Sequence, residues 1–148
     1  MRLWHYKLLP YLPDAQFKGQ LRELVAIMHD WRDKGQTNHI LINSVMEYPR
    51  TDLYSYFLEY AVEYQRRNED RVPKCTEEFY DFADYDGDIS AILTAPFPGW
   101  HDKAYLRVCM ANLYEKYVFG RGKSRITGKE WSRLREGYLA ITGEPYEI

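Results

Sequence analysis

The stretch Phe17-Lys18-Gly19-Gln20-Leu21-Arg22-Glu23-Leu24-Val25-Ala26-Ile27-Met28-His29-Asp30-Trp31 decides the fold. Phe17, Leu21, Leu24, Val25, Met28 and Trp31 recur at helical spacing and predict one apolar stripe on an amphipathic helix. Asp14, after Pro13, is placed as an N-cap or first-turn acid, and Gly35 as the C-cap residue. Arg22 and Glu23 fall off the stripe, one on each side of the polar face. The run Met1–His5 precedes this helix with no leader or linker in view, so the amine of Met1 is expected near Glu23.

Working outward, Pro10 and Pro13 preclude a continuous helix before Asp14, leaving a short helical turn or an extended entry. Asn38 is placed as the cap of a short helix through Tyr48, with Ile40, Leu41, Val45 and Tyr48 inward and Pro49 as its stop. Leu53, Phe57, Tyr60, Ala61 and Tyr64 mark a third helix, from Thr51-Asp52 to Arg66-Arg67-Asn68. Residues 69–99 read as an irregular acidic segment with room for a short helix at Thr76–Tyr85. A fourth long helix runs from Asp102 to Tyr117, with Leu106, Cys109, Met110, Leu113 and Tyr117 inward. Thr127-Gly128-Lys129-Glu130 is a capping box that opens a last helix through Trp131, Leu134, Tyr138 and Leu139. No alternating run is long enough for a sheet, so residues 1–148 are expected to form a single all-α domain.

Composition removes several classes. Aromatic residues make up 16% of the chain, as a packed domain requires and a disordered chain does not. No apolar run approaches the length of a membrane span, and Met1-Arg2-Leu3-Trp4-His5 lacks the core of a signal peptide. Cys75 and Cys109 make neither a disulfide framework nor a metal spacing, so a cytoplasmic protein with reduced thiols is expected. The net charge of −2 argues mildly against a general nucleic-acid binder. It averages an acidic run, Glu69–Asp88 at net −6, with a basic one, Lys116–Arg135 at net +6. Either these two segments attract one another, or the basic one offers a face to a polyanion.

Asp84-Tyr85-Asp86-Gly87-Asp88 has its glycine at the wrong position for a calcium loop and reads as an acidic turn. Gly120-Arg121-Gly122-Lys123-Ser124-Arg125 lacks phosphate-loop spacing; it is either a solvated loop or a phosphate contact through Arg121, Lys123 and Arg125. His5, His39 and His101 each stand where an element begins, without metal spacing, and are candidates to line a site; no metal or other cofactor is expected.

Arg22-Glu23 gains interest from what stands near it. An α-amine has a pKa of about 7.7–8.0, so roughly a tenth to a fifth is neutral at pH 7, against roughly 0.04% of a lysine. It is a ready nucleophile for a carbon centre and yields an imine. A carboxylate to move protons and an arginine to hold phosphate complete that chemistry. Arg2, bulky beside Met1, is expected to discourage methionine removal and leave Met1 as the amine donor.

On these residues the chain resembles the pyrimidine-dimer DNA glycosylase family. Phe17–Leu24 is similar in register to the catalytic helix of the family's phage branch. The bacterial branch resembles it further, in Met1–His5, Leu12-Pro13, Gln16, Gly19-Gln20, Arg22-Glu23, Asn38-His39, Tyr48-Pro49, Trp100-His101-Asp102 and Tyr105–Tyr117. The resemblance implies that Met1 attacks the sugar C1′ at a damaged pyrimidine, with Glu23 as acid/base. Strand scission then follows by β-elimination, without a metal. It implies a contact from Arg22 to a phosphate or base of duplex DNA, damaged or abasic. Arg2 is a further candidate contact, and the basic loop, by its own charge, is expected to set Arg121, Lys123 and Arg125 on the phosphate backbone. Gln16 stands where the phage branch has histidine, and Ala26 where it has arginine. A monomer acting on DNA in the cytosol or nucleoid is the expectation. A non-catalytic nucleic-acid or protein-binding module, and an enzyme on a small nucleoside or sugar, are the rival readings.

Overall fold

The computed structural model describes residues 2–86 and 95–148. Met1, and Gly87 and Asp88 of the acidic turn, lie outside the described residues. The fold is all-α, as the periodicity predicts, with α1 at Asp14–Lys34, α2 at Arg50–Arg67, α3 at Thr76–Ala83, α4 at Lys103–Val118 and α5 at Gly128–Thr142. Short 3-10 turns at Tyr6–Tyr11, Ile42–Glu47, Asp84–Asp86 and Gly122–Ser124 connect them.

Helix α1 begins after Pro13, carries Asp14 in its first turn and ends at Gly35. Gly35 has φ 70°, and its N–H donates to Trp31 O. That left-handed conformation suits glycine, which has no Cβ to clash. The buried face is Gln16, Phe17, Gln20, Leu24, Ile27 and Met28. Leu21, Val25 and Trp31 are only partly buried, so the stripe is rotated from the apolar count toward two glutamines. Those amides are buried because residues 2–5 and Ser124 supply hydrogen-bond partners, without which burial would be costly.

The helix expected from Asn38 to Tyr48 forms only in its second half, as the 3-10 turn Ile42–Glu47 with Tyr48 as its C-cap. Asn43 Oδ1 accepts the Thr37 N–H at 2.8 Å while Asn43 Nδ2 donates to Thr37 O, closing a loop that competes with helix. Ile40 and Leu41, expected inward, are 87% and 82% exposed, and the chain enters the core at Ile42 and Val45.

Helix α2 buries Leu53, Phe57, Tyr60 and Ala61 as its spacing predicts. At its end the buried Glu63 accepts from Arg66 and Arg67, and Arg67 reaches Asp14 Oδ1 and Leu12 O, clamping the start of α1. In the described parts of the 69–99 segment, α3 and Phe97 join the core, which the irregular reading did not provide for. Phe79 of α3 stacks on Phe57 at 4.2 Å, and the buried Phe97 donates its N–H to Asp52 Oδ2 at 2.9 Å. The acidic segment pairs with α1, through Glu78 to His29 and Arg32; among the described residues, no ion pair joins it to the basic segment.

Asp102 caps α4 by accepting the Tyr105 N–H, and Leu106, Cys109, Met110 and Leu113 are buried. Tyr117 is half-buried. The chain then folds back tightly: a Cβ on Gly120 would lie 2.1 Å from Lys116 O, so only glycine fits there. The capping box at Thr127 and Glu130 forms in full. Helix α5 packs Trp131, Leu134 and Tyr138 inward, while Leu139 is 48% exposed. Its Gly137 faces the Tyr11 ring of the first 3-10 turn.

Candidate active site

Residues 2–5 form an extended arm whose backbone is satisfied by side chains instead of a neighbouring strand. Glu23 Oε2 accepts the Arg2 N–H at 2.8 Å. Gln20 spans the next peptide groups, donating from Nε2 to Arg2 O at 2.7 Å and accepting the Trp4 N–H at Oε1, 2.8 Å away. Tyr105 of α4 donates to Leu3 O, Tyr56 of α2 donates to Trp4 O at 2.6 Å, and the His5 N–H points at Cys109 Sγ. Gln20 and Glu23 are three apart and share one edge of α1, which carries the register of the arm.

Beside this seam opens a cleft of about 550 Å³, lined by Arg2, Trp4, Gln16, Gln20, Arg22 and Glu23 on one wall. Asn112, Glu115 and Lys116 of α4, with Lys123 and Ser124, form the other. Four cations face two carboxylates there, so the cleft favours an anion while holding one carboxylate against the arm. The Arg2 guanidinium lies 5.0 Å from the Trp4 ring centroid, a cation–π contact that holds it at the rim. Gln16 Nε2 donates to Ser124 O at 2.9 Å and thereby couples α1 to the basic loop.

Of the residues picked out in the sequence, Arg2, Gln16, Arg22, Glu23 and Lys123 converge on this cleft. Arg121 and Arg125 line a separate hollow with Val118, Phe119, Gly120 and Gly122. The three histidines are not part of the cleft. His39 is exposed on the loop after α1. His5 and His101 are buried together in a cluster with Tyr6, Tyr56, Phe97, Trp100 and Tyr105, and reach the surface at a different depression beside Lys7 and Lys103.

Their role is legible from hydrogen bonds. His5 Nδ1 accepts the Lys7 N–H and His101 Nδ1 accepts the Tyr6 N–H, so each neutral ring carries its proton on Nε2. His5 Nε2 donates to His101 O at 2.9 Å. Burial lowers His5 to about 4 and His101 to about 2, the neighbouring His5 adding to the effect on His101. The pair staples the end of the arm and the first 3-10 turn to the segment just before α4 in uncharged form.

The residues that sequence reading passed over are Trp4, Gln20, Asn112, Glu115 and Lys116. Asn112, Glu115 and Lys116 lie at i, i+3 and i+4, a helical polar stripe opposite the Leu106–Leu113 apolar face, and that spacing was the available signal.

A family model for pyrimidine dimer DNA glycosylase matches residues 1–77. The chain belongs to that family of DNA glycosylases. The match spans the arm, α1 with Arg22 and Glu23, and α2, while the α4 wall and the basic loop lie beyond it. Comparisons with curated proteins and with solved structures give no match. Among the described residues, no helix is long and apolar enough to cross a membrane.

Proposed function

We propose that the cleft is the active site of a DNA-repair glycosylase with associated lyase activity on damaged pyrimidines, and that the amine of residue 1 is its nucleophile. One observation carries this reading: Glu23 Oε2 stands 2.8 Å from the Arg2 nitrogen, the atom bonded to residue 1. A carboxylate at that distance is within reach of protons moving to and from an amine one residue away.

The neutral amine attacks C1′, and the bond from C1′ to the base breaks, its electron pair leaving with the base, which takes up a proton. The sugar ring opens to a protonated imine. Removal of a C2′ proton then breaks the C3′–O bond, releasing the 3′ phosphate and nicking the strand. Water hydrolyses the imine and returns the amine. Glu23 stabilises the cationic intermediates and carries protons between these steps. Arg2, Arg22, Lys116 and Lys123 receive phosphates, which positions the strand without reading its sequence.

The direct test is incubation with ultraviolet-irradiated and with abasic duplex DNA, with borohydride added to trap an imine. Nicking of both substrates and a trapped complex are expected, with neither from protein whose amine is acetylated. Undiminished nicking by acetylated protein would overturn the assignment.

A further inference from the structure

The arm that would present the nucleophile has no sheet to define its register. Among the side chains that hold it, the buried amide of Gln20, 1% exposed, takes two of its backbone groups. Gln20 uses both ends of its side chain on the arm, Nε2 on Arg2 O and Oε1 on Trp4 N–H. It stands one helical turn from Glu23, which takes the Arg2 N–H. The two side chains therefore grip both polar groups of Arg2, and a slip of the arm by one residue breaks the whole set. Tyr56 braces the same stretch: its fully buried hydroxyl lies 2.6 Å from Trp4 O and 3.1 Å from Gln20 Oε1. The single hydroxyl proton goes to the nearer Trp4 O, so Tyr56 fixes the arm where Gln20 reads it.

We propose that Gln20 is a positioning residue for the chemistry, supported by Tyr56: it registers the arm so that the amine on residue 1 meets both Glu23 and the sugar carbon. This rests on the functional reading above. Gln20 needs no contact with the DNA for this role; its effect passes through the backbone of Arg2. A misplacement on the order of 1 Å costs about 100-fold in a reaction that depends on near-attack geometry.

The experiment compares wild type, Gln20→Leu and Tyr56→Phe in single-turnover borohydride trapping at saturating abasic duplex. Dissociation constants for a duplex with a tetrahydrofuran abasic analogue and thermal melts accompany it. Gln20→Leu keeps a side chain of similar size while removing both hydrogen bonds. The expected result is a trapping rate constant about 100-fold lower, with the dissociation constant within about threefold of wild type. A merely structural role would lower the melting temperature and the amplitude of trapping but leave the rate constant of the folded fraction unchanged, and that outcome overturns the proposal. A rate loss that only follows weaker binding does so as well. If Gln20→Leu does not fold, Tyr56→Phe decides: a rate constant lowered about tenfold at unchanged affinity supports the role, and an unchanged rate constant overturns it. Wild type that gives no adduct at residue 1 overturns the functional reading itself; a wild-type adduct with unaltered variants overturns the positioning role alone.

Discussion

Acidification from pH 7 to pH 5 should destabilise the fold through two buried imidazoles. His5 and His101 are 3% and 7% exposed, and burial lowers them to about 4 and about 2. The fold therefore favours the neutral ring, and as pH falls the unfolded chain takes up protons first. Their contribution is fully present above the unfolded pKa of about 6.5 and is lost as pH falls toward the folded values. Each histidine costs about 2 kcal/mol across this interval, about 4 kcal/mol for the pair, out of a typical 5–15 kcal/mol. Between these limits histidine is the side chain whose ordinary pKa is crossed, so the carboxylates with lowered pKa, Asp33, Glu63, Glu78 and Glu144, contribute mainly at lower pH. Urea unfolding followed by tryptophan fluorescence at several pH values measures the loss. His101→Asn isolates half of it, because Asn Oδ1 can accept the Tyr6 N–H that His101 Nδ1 accepts at 3.3 Å. The variant should retain only about 2 kcal/mol of the pH dependence. A wild-type stability that is level from pH 7 to pH 5, or a variant with the full wild-type slope, would refute a buried neutral pair.

Two further predictions address packing and charge. Gly137→Ala would place a Cβ 2.4 Å from Tyr11 Cγ, at the root of the ring, so the ring or the backbone must shift; a loss of about 1–3 kcal/mol in urea unfolding is expected, and a neutral effect would contradict the close approach of α5 to the first 3-10 turn. Lys123→Ala, which removes one cation from the cleft, should weaken duplex binding and reduce the slope of log affinity against log salt by about 0.9; an unchanged slope would take Lys123 off the phosphate path.

The helices were legible wherever an apolar period met a sharp stop. Gly35 ends α1, Pro49 precedes α2, and Thr127-Glu130 opens α5, each through local chemistry that the sequence displays. Ile40 and Leu41 were misplaced because the Thr37–Asn43 bonds close a loop that apolar spacing does not reveal. The rotation of α1 was hidden for a related reason. Glutamine counts as polar, and Gln16 and Gln20 are buried only because an extended arm and a distant loop bring them partners. Half of the candidate site was readable, since Arg2, Arg22 and Glu23 lie on the elements whose pairing the sequence suggested. The opposite wall comes from Asn112, Glu115 and Lys116, and no local pattern states that α4 lies across from α1. His5 and His101 drew notice for standing at element starts, and that position serves them structurally: His5 caps the first 3-10 turn and both bond to backbone across the arm–α4 seam.

The measurement closest to the central claim is mass-spectrometric mapping of the borohydride-reduced adduct on abasic duplex, for wild type and Glu23→Gln. Glutamine keeps an oxygen to accept the Arg2 N–H, so the arm stays in place while the carboxylate is lost. A wild-type adduct on the α-amine of residue 1 is expected, with at least about 100-fold slower trapping by Glu23→Gln at similar DNA affinity. An adduct on a lysine side chain, or full-speed trapping without the carboxylate, would contradict it.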